Sequence, residues 1–141
     1  RIYEATEPSD LLAEAFARLL PQLSERMTAP DREAVARIVA SPATRQLVAA
    51  AEDGRIVGLL SVALYDVPSG RKAWIEDVVV DAATRGRGIG EALVREALAL
   101  ARREGVARVM LTSNATRRAA HRLYERMGFV RYETDCFRLD L

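Results

Sequence analysis

The chain has 141 residues, of which 50% are hydrophobic and 29% charged, and its formal net charge is +1. This length suits a single domain, residues 1–141, and the balanced charge gives no sign of a nucleic-acid partner. No apolar run approaches the roughly 18 residues that cross a bilayer, so we expect no membrane segment. Cys136 is the only cysteine, which excludes an intrachain disulfide and leaves no ligand cluster for a metal. These features favour a cytoplasmic enzyme or binding module.

The N-terminal part of the chain predicts one strand followed by two amphipathic helices. Ile2–Ala5 has the composition of a short strand. Apolar residues then recur at helical spacing after Ser9-Asp10, in a helix that bends or ends near Pro21. A second helix starts around residues 28–31 and stops before Ser41-Pro42, because the residue before a proline disfavours helical backbone.

From residue 46 the sequence follows the pattern of β-strands. Gln46–Glu52 and Arg55–Tyr65 are β-compatible runs, and Asp53-Gly54 between them is a strong hairpin signal. A turn over residues 66–70 leads into Trp74–Val80, a strand rich in β-branched residues. These hairpins predict antiparallel pairing.

The second half of the chain predicts a strand–loop–helix–strand unit. After the glycine-rich sequence Arg85–Gly90, a long amphipathic helix leads to a strand over residues 107–112. The two strands of this unit should be parallel neighbours, because a βαβ connection joins them. A helix over residues 114–127 and one or two closing strands over residues 129–141 complete the chain. The predicted fold class is α/β with a mixed sheet.

The glycine-rich loop has the composition of an anion site. Its sequence is Arg85-Gly86-Arg87-Gly88-Ile89-Gly90, and it leads directly into a helix. Free N–H groups and the positive dipole end at a helix N-terminus attract phosphate, and glycines let the backbone come close. The dinucleotide pattern G-x-G-x-x-G fails because Glu91 or Leu93 stands where the third glycine belongs. The Gly-Lys-Ser/Thr of a P-loop is also absent, whereas Arg-x-x-Gly-x-Gly fits.

This loop resembles the coenzyme A pyrophosphate loop of the GNAT superfamily of N-acetyltransferases. Leu123–Phe129 resembles the family's helix that ends in tyrosine before a Gly-Phe turn, and the spacing from Asn114 to Tyr124 is also similar. Ile75–Val80 resembles the strand that holds the pantetheine arm. The chain is therefore identified as a member of the GNAT superfamily. This implies a central mixed sheet flanked by about four helices, with acetyl-CoA as the cosubstrate.

The resemblance also implies which residues contact the coenzyme. A backbone N–H near Val78 would stabilise the carbonyl oxyanion, and Val78 and Val80 would pair through their backbones with pantetheine. Arg117, near a helix start, could reach the 3′-phosphate. The residues expected to contact coenzyme A are Val78, Val79, Val80, Arg85, Gly86, Arg87, Gly88, Ile89, Gly90, Glu91, Asn114 and Arg117.

Tyr124 is expected to protonate the leaving thiolate. A phenol has a pKa of about 10, so it stays protonated at neutral pH and can donate to sulfur. A tyrosine at this position commonly does so in the family. His121, the only histidine, lies three residues earlier on roughly the same side of the helix. A lone helical histidine is more often structural, and we leave it outside the catalytic set.

Glu76 and Asp77 are the candidates for the catalytic base on the acceptor side. Strict alternation along Trp74–Val80 places Glu76 on the face of Val78, whereas a β-bulge would shift the phase and turn Asp77 inward. This acidic pair before a valine run also resembles glucosamine-6-phosphate and aminophosphonate acetyltransferases. Either carboxylate could accept the amine proton through water or hold the ammonium group, and we favour Glu76.

The expected reaction is direct transfer of acetyl from acetyl-CoA to a primary amine of a small molecule, in a ternary complex. Neither Cys136 nor a serine–histidine pair recommends an acyl-enzyme. Two alternatives stay open, namely acetylation of a protein N-terminus or lysine, and a non-catalytic acyl-CoA-binding sensor. The closing strands could also mediate homodimerisation, as in many relatives.

Overall fold

A five-stranded mixed sheet runs through the computed structural model, which describes residues 1–141. Its strands lie side by side in chain order as β1 (Ile2–Ala5), β2 (Thr44–Ala50), β3 (Ile56–Val67), β4 (Gly70–Val80) and β5 (Val109–Met110). Neighbours from β1 to β4 pair antiparallel, and β4 pairs with β5 in parallel. The predicted mixed sheet is confirmed, including the parallel pair across the strand–loop–helix–strand unit.

Four α-helices flank the sheet, as α1 (Asp10–Leu23), α2 (Arg32–Ala40), α3 (Ile89–Arg103) and α4 (Arg118–Arg126). A short 3₁₀ turn follows β4. The helix α1 begins where predicted, because Ser9 Oγ accepts a hydrogen bond from the Leu12 N–H at 3.1 Å. Pro21 lies inside α1 and does not end it. None of these helices has the length and apolar content to cross a membrane.

The sheet separates two apolar layers. Between the sheet, α3 and α4 lie Leu47, Leu60, Val62, Ile75, Leu93, Val94, Leu100 and Tyr124. Between the sheet, α1 and α2 lie Leu12, Phe16, Leu19, Val35, Val48, Ile56, Leu59 and Val79. Burying a leucine or valine side chain stabilises the fold by about 1.5–3 kcal/mol. Apolar contact therefore holds both pairs of helices against the sheet.

The strand β4 contains a β-bulge at the predicted acidic pair. Leu59 of β3 lies opposite Val79, but Ser61 lies opposite Glu76, so β4 carries one extra residue there. Asp77 has a φ of 50° and is the only non-glycine residue with a positive φ. The irregularity is therefore concentrated at the acidic pair.

The bulge shifts the alternation of side chains along β4, so that residues after it point to the opposite side of the sheet from the one that regular alternation gives. Ile75 belongs to the layer under α3, whereas Val79, four residues later, belongs to the layer under α1. Val78 and Val80 pack on the α3 side instead. Strict alternation, one of the two sequence alternatives, is therefore wrong beyond Glu76.

Three predictions for the C-terminal part are wrong. β5 covers only Val109–Met110 instead of residues 107–112, and α4 starts later than residue 114. Residues 129–141 form no strand, and residues 130–141 are exposed. A strand needs a partner edge for its backbone hydrogen bonds, and an alternating sequence cannot supply that edge. With no outer strand beside it, β5 pairs on one side only and stays short.

Candidate active site

A cavity of about 670 Å³ lies between β4, the loop that follows it, α3 and α4, and is called the loop cavity below. Of the predicted coenzyme contacts, those that line it are Val78, Val79, Val80, Arg85, Gly86, Gly88, Ile89, Gly90, Glu91 and Arg117. Arg87 is exposed in the loop, and Asn114 lies before α4; neither lines the cavity. The fold thus brings most of the predicted residues to one space.

Two positions of the loop favour glycine for different structural reasons. Gly88 precedes α3 with a φ of 77°, a left-handed conformation that favours glycine, and it supplies no side-chain cap. The first N–H groups of α3 therefore receive no capping acceptor from Gly88, which suits an anion site. Gly90 lets α4 come close, since a Cβ there would lie 3.3 Å from Leu123 Cδ2.

Asn114 shapes the turn before α4 instead of lining the cavity. Its Oδ1 accepts hydrogen bonds from the Thr116 N–H at 2.9 Å and from Thr116 Oγ1 at 2.8 Å. This turn occupies the residues before Arg118, which is why the helix starts later than the sequence pattern predicts. Asn114 thereby positions Thr116 and Arg117, and both of these line the loop cavity.

Further basic residues of α4 line the loop cavity and were not predicted. Arg118 and Arg126 join Arg85 and Arg117 around it. Arg118 and Arg126 are about two helical turns apart, so both lie on one face of α4. That spacing is a signal in the sequence that could have identified them. Guanidinium groups suit phosphates because they donate bidentate hydrogen bonds.

A polar cluster connects α1 with the start of the loop. Arg18 Nη1 donates to Asp81 Oδ2 at 3.0 Å, and Gln22 Oε1 accepts from the Ala82 N–H at 2.8 Å. Asp81 is 7% exposed. Its pKa is lowered chiefly by the hydrogen bond from the Ala83 N–H, with contributions from Gln22 and Arg18. Arg18 and Asp81 are 63 positions apart, so no local pattern could have indicated this contact.

Tyr124 lines the loop cavity from α4 and is buried. Its ring packs edge-on against Phe129, with the ring centroids 5.8 Å apart. Burial raises the pKa of Tyr124, although the Arg117 charge acts in the opposite direction. The phenol is therefore protonated at neutral pH, as a proton donor must be. His121 does not line the loop cavity; it lines a neighbouring cavity of about 320 Å³ that Tyr124 also borders.

A second cavity, of about 260 Å³, lies beneath α1 and α2 and is called the acidic cavity below. Its lining consists of Phe16, Leu20, Pro30, Ile38, Thr44, Gln46, Leu59, Ser61, Ala63, Glu76 and Asp77. The bulge in β4 places Asp77 beside Glu76 in its wall, and both residues are exposed. Partial burial raises the pKa of Glu76, and the neighbouring charge of Asp77 raises it further. Such a carboxylate is a stronger base than an ordinary one.

Successive residues of β4 line the two cavities at the bulge. Asp77 lines the acidic cavity, and the next residue, Val78, lines the loop cavity. No group of three or more His, Cys, Asp or Glu side chains is placed to hold a metal ion. At the bulge, β4 thus contributes both to a basic, glycine-lined space and to a smaller one that carries the acidic pair.

Comparison with known proteins gives the family of this chain. The Acetyltransferase (GNAT) family model matches residues 9–129. The chain belongs to this family. The match includes β4, the glycine-rich loop and Tyr124. The mixed sheet with four flanking helices is therefore the GNAT fold, as the resemblance implied.

Similar proteins include acetyltransferases from several organisms. Glucosamine 6-phosphate N-acetyltransferase 1 of Oryza sativa subsp. japonica is 35% identical over 127 residues, which cover 84% of this chain and 75% of that protein. Mycothiol acetyltransferase of Thermomonospora curvata is 36% identical over 89 residues, 63% of this chain and 29% of that protein. The chain spans less than a third of the mycothiol acetyltransferases that it matches. A solved Trypanosoma brucei acetyltransferase is 30% identical, with a TM-score of 0.80, and the match covers 100% of this chain and 99% of that one.

Proposed function

We propose that residues 1–141 form a single N-acetyltransferase domain that transfers acetyl from acetyl-CoA to a primary amine of a small molecule. The observation that carries this proposal is that adjacent residues of β4, Asp77 and Val78, line the two cavities at the bulge. A thioester that reaches Val78 from the loop cavity lies next to an amine held by Asp77 and Glu76. Direct attack within a ternary complex then needs no acyl-enzyme.

Acetyl-CoA is the proposed occupant of the loop cavity. The uncapped N-terminus of α3 and the guanidinium groups of Arg85, Arg117 and Arg118 suit the phosphates of the coenzyme. Val78 and Val80 would pair with pantetheine through their backbones. Arg87 and Asn114 do not line this cavity. Arg87 would contribute only the positive charge of the loop, and Asn114 would act only by shaping the turn before α4.

The proposed reaction uses three groups of the chain. Glu76 accepts the proton of the ammonium group, directly or through water, and the amine nitrogen attacks the thioester carbonyl carbon. The Val78 N–H stabilises the oxyanion that forms as the C–N bond is made. The C–S bond then breaks, and Tyr124 donates its phenolic proton to the leaving thiolate. The extra proton on the attached nitrogen leaves through solvent and restores the Tyr124 phenol.

Two measurements test this function against its alternatives. Acetyl-CoA should raise the melting temperature through binding, and thiol release should follow the addition of small amines and not of peptides. Release with peptides alone would favour acetylation of a protein N-terminus or lysine. A raised melting temperature without thiol release from any amine or peptide would favour the sensor and refute catalysis.

We also propose that the protein forms a homodimer in the cytoplasm, with residues 129–141 of one copy against the other. Val130, Phe137 and Leu139 are more than four-fifths exposed, and the outer edge of β5 has no partner strand. The unpaired Cys136 thiol is exposed, as a reducing compartment permits. Light scattering should give a dimer mass, and Phe137→Ser with Leu139→Ser should give a monomer. A monomeric wild type would refute the dimer.

A further inference from the structure

We infer that the acidic cavity selects a small primary amine whose remaining atoms carry no negative charge, in contrast to a phosphorylated or carboxylated amine. This inference rests on the proposed function and concerns the acceptor alone. It departs from the rice relative, whose name identifies glucosamine 6-phosphate as the substrate.

Charge is the first reason. Glu76 and Asp77 are the only ionisable side chains in the lining, and no lysine, arginine or histidine accompanies them. An ammonium group is attracted to this pair. A phosphate or carboxylate on the same molecule would face two like charges, and the lining contains no cation to offset them.

The hydrogen-bonding groups of the cavity point to the same class of ligand. Ser61 Oγ donates to Gln46 Oε1 at 2.6 Å, and Gln46 Nε2 donates to the carbonyl oxygens of Leu47 at 3.1 Å and Leu60 at 3.3 Å. Both polar side chains have therefore already used their protons. Thr44 is the only lining side chain whose proton is not donated within the chain.

What the cavity offers a ligand is therefore mostly acceptors. The free lone pairs of Ser61 and the carboxylate oxygens of Glu76 and Asp77 accept hydrogen bonds, as an ammonium group requires. A phosphate needs several donors, usually charged ones, and a single hydroxyl does not meet that need.

The apolar wall and the size define the rest of the ligand. Phe16 and Leu20 of α1 face the cavity together with Ile38 of α2 and Leu59 of β3. The volume of about 260 Å³ lies below the range of roughly 300–1,000 Å³ that suits drug-sized ligands. The geometry points to a compact amine with an apolar or uncharged body.

Matched pairs of acceptors test this selectivity. The first pair is 2-phenylethylamine and phenylalanine, which differ by a carboxylate, and the second is glucosamine and glucosamine 6-phosphate. For each pair, kcat/KM is measured by thiol release from acetyl-CoA, and the dissociation constant is measured by calorimetry on protein loaded with coenzyme A. The uncharged-bodied member should have the higher kcat/KM and the tighter binding, by about tenfold or more.

Equal or better binding of the anionic members would overturn the inference, whether or not turnover occurs. The absence of thiol release with any amine, despite selective binding, would instead refute the proposed transfer and leave the selectivity supported. The two failures are therefore distinguishable.

A substitution in the wall provides a second test that depends on charge. Ile38→Arg adds a cation to the cavity, which gives the carboxylate or phosphate of the anionic acceptor a partner. The ratio of kcat/KM between the two members of each pair should therefore fall by about tenfold. Ile38→Gln is the matched control of similar polarity without charge, and it should leave the preference near that of the wild type. An equal change in both variants would show that charge does not set the selectivity. Melting curves of both variants check that they fold.

Discussion

The loop cavity and the acidic cavity are built in opposite ways. Most of the loop cavity comes from two continuous stretches, residues 78–91 and 116–126, and it is edged with arginines. The acidic cavity collects side chains between residues 16 and 77, and its ionisable lining groups are two carboxylates. A space built from a local motif can be predicted from that motif, whereas a space assembled from distant segments depends on the packing of the fold. The loop cavity, which we propose binds the acetyl donor, is therefore the one that the sequence could predict.

The largest expected effect separates chemistry from binding in the loop cavity. Tyr124→Phe should lower kcat by about 100-fold, because it removes the proton donor for the thiolate. The ring and its contact with Phe129 are retained, so the dissociation constant for acetyl-CoA should change by less than about twofold. Steady-state thiol release and calorimetry measure the two quantities. Tyr132→Phe, at a tyrosine that is 59% exposed, is the control. A normal kcat in Tyr124→Phe would remove its assigned role.

A smaller effect is expected in the acidic cavity. Glu76→Gln should lower kcat/KM for the amine on the order of tenfold near neutral pH, since water can partly replace the base. In the wild type, activity should decline as the pH falls through the raised pKa of Glu76, because only its carboxylate accepts a proton. Glu76→Gln should lose this acid-side decline in a pH–rate profile.

Asp77→Asn is the matched control for that profile. It should keep the acid-side decline, shifted to lower pH, because the neighbouring charge that raises the pKa of Glu76 is gone. If Asp77→Asn abolishes the decline and Glu76→Gln keeps it, then Asp77 is the base.

The last expected effect concerns stability instead of activity, through α1, which serves both cavities. Its residues Phe16 and Leu20 line the acidic cavity, and Arg18 is bonded to Asp81 at the start of the loop. Arg18→Met should lower the free energy of unfolding by about 2 kcal/mol, between the values for exposed and buried pairs. Urea denaturation measures the change. Arg103→Met, which removes the exposed pair with Glu96, should cost less than about 1 kcal/mol. Equal losses would show that Arg18 is an ordinary surface cation.

The same cluster predicts a pH dependence of stability. The pKa of Asp81 is lowered in the folded protein, so its contribution is present above the unfolded pKa and is lost as the pH falls through the folded one. Asp81→Asn should therefore be less stable than the wild type at neutral pH and lose less stability on acidification. Parallel acid-side curves for the two proteins would contradict this.

Most of the fold could be predicted because its signals are local. The hairpin at Asp53-Gly54, the cap at Ser9 and the parallel pair of β4 and β5 follow from turn chemistry, capping and chain connectivity. The error at Asn114 also has a local cause, since its side chain bonds the Thr116 backbone and delays α4. Residues 129–141 alternate like a strand, but they do not pair with the free outer edge of β5, and alternation alone does not show whether an edge will be paired.

The sequence by itself determined the glycine-rich turn, the helix that follows it and the tyrosine near the end of α4, because these depend on backbone conformation and helical period. Only the tertiary structure decided that a bulge brings Asp77 beside Glu76 into one cavity, and that Phe16, Ile38 and Ser61 complete it. It also decided that Arg18 meets Asp81 across the chain. The physical reason is that register, long-range ion pairs and cavity walls are set by how distant segments pack, which no local spacing records.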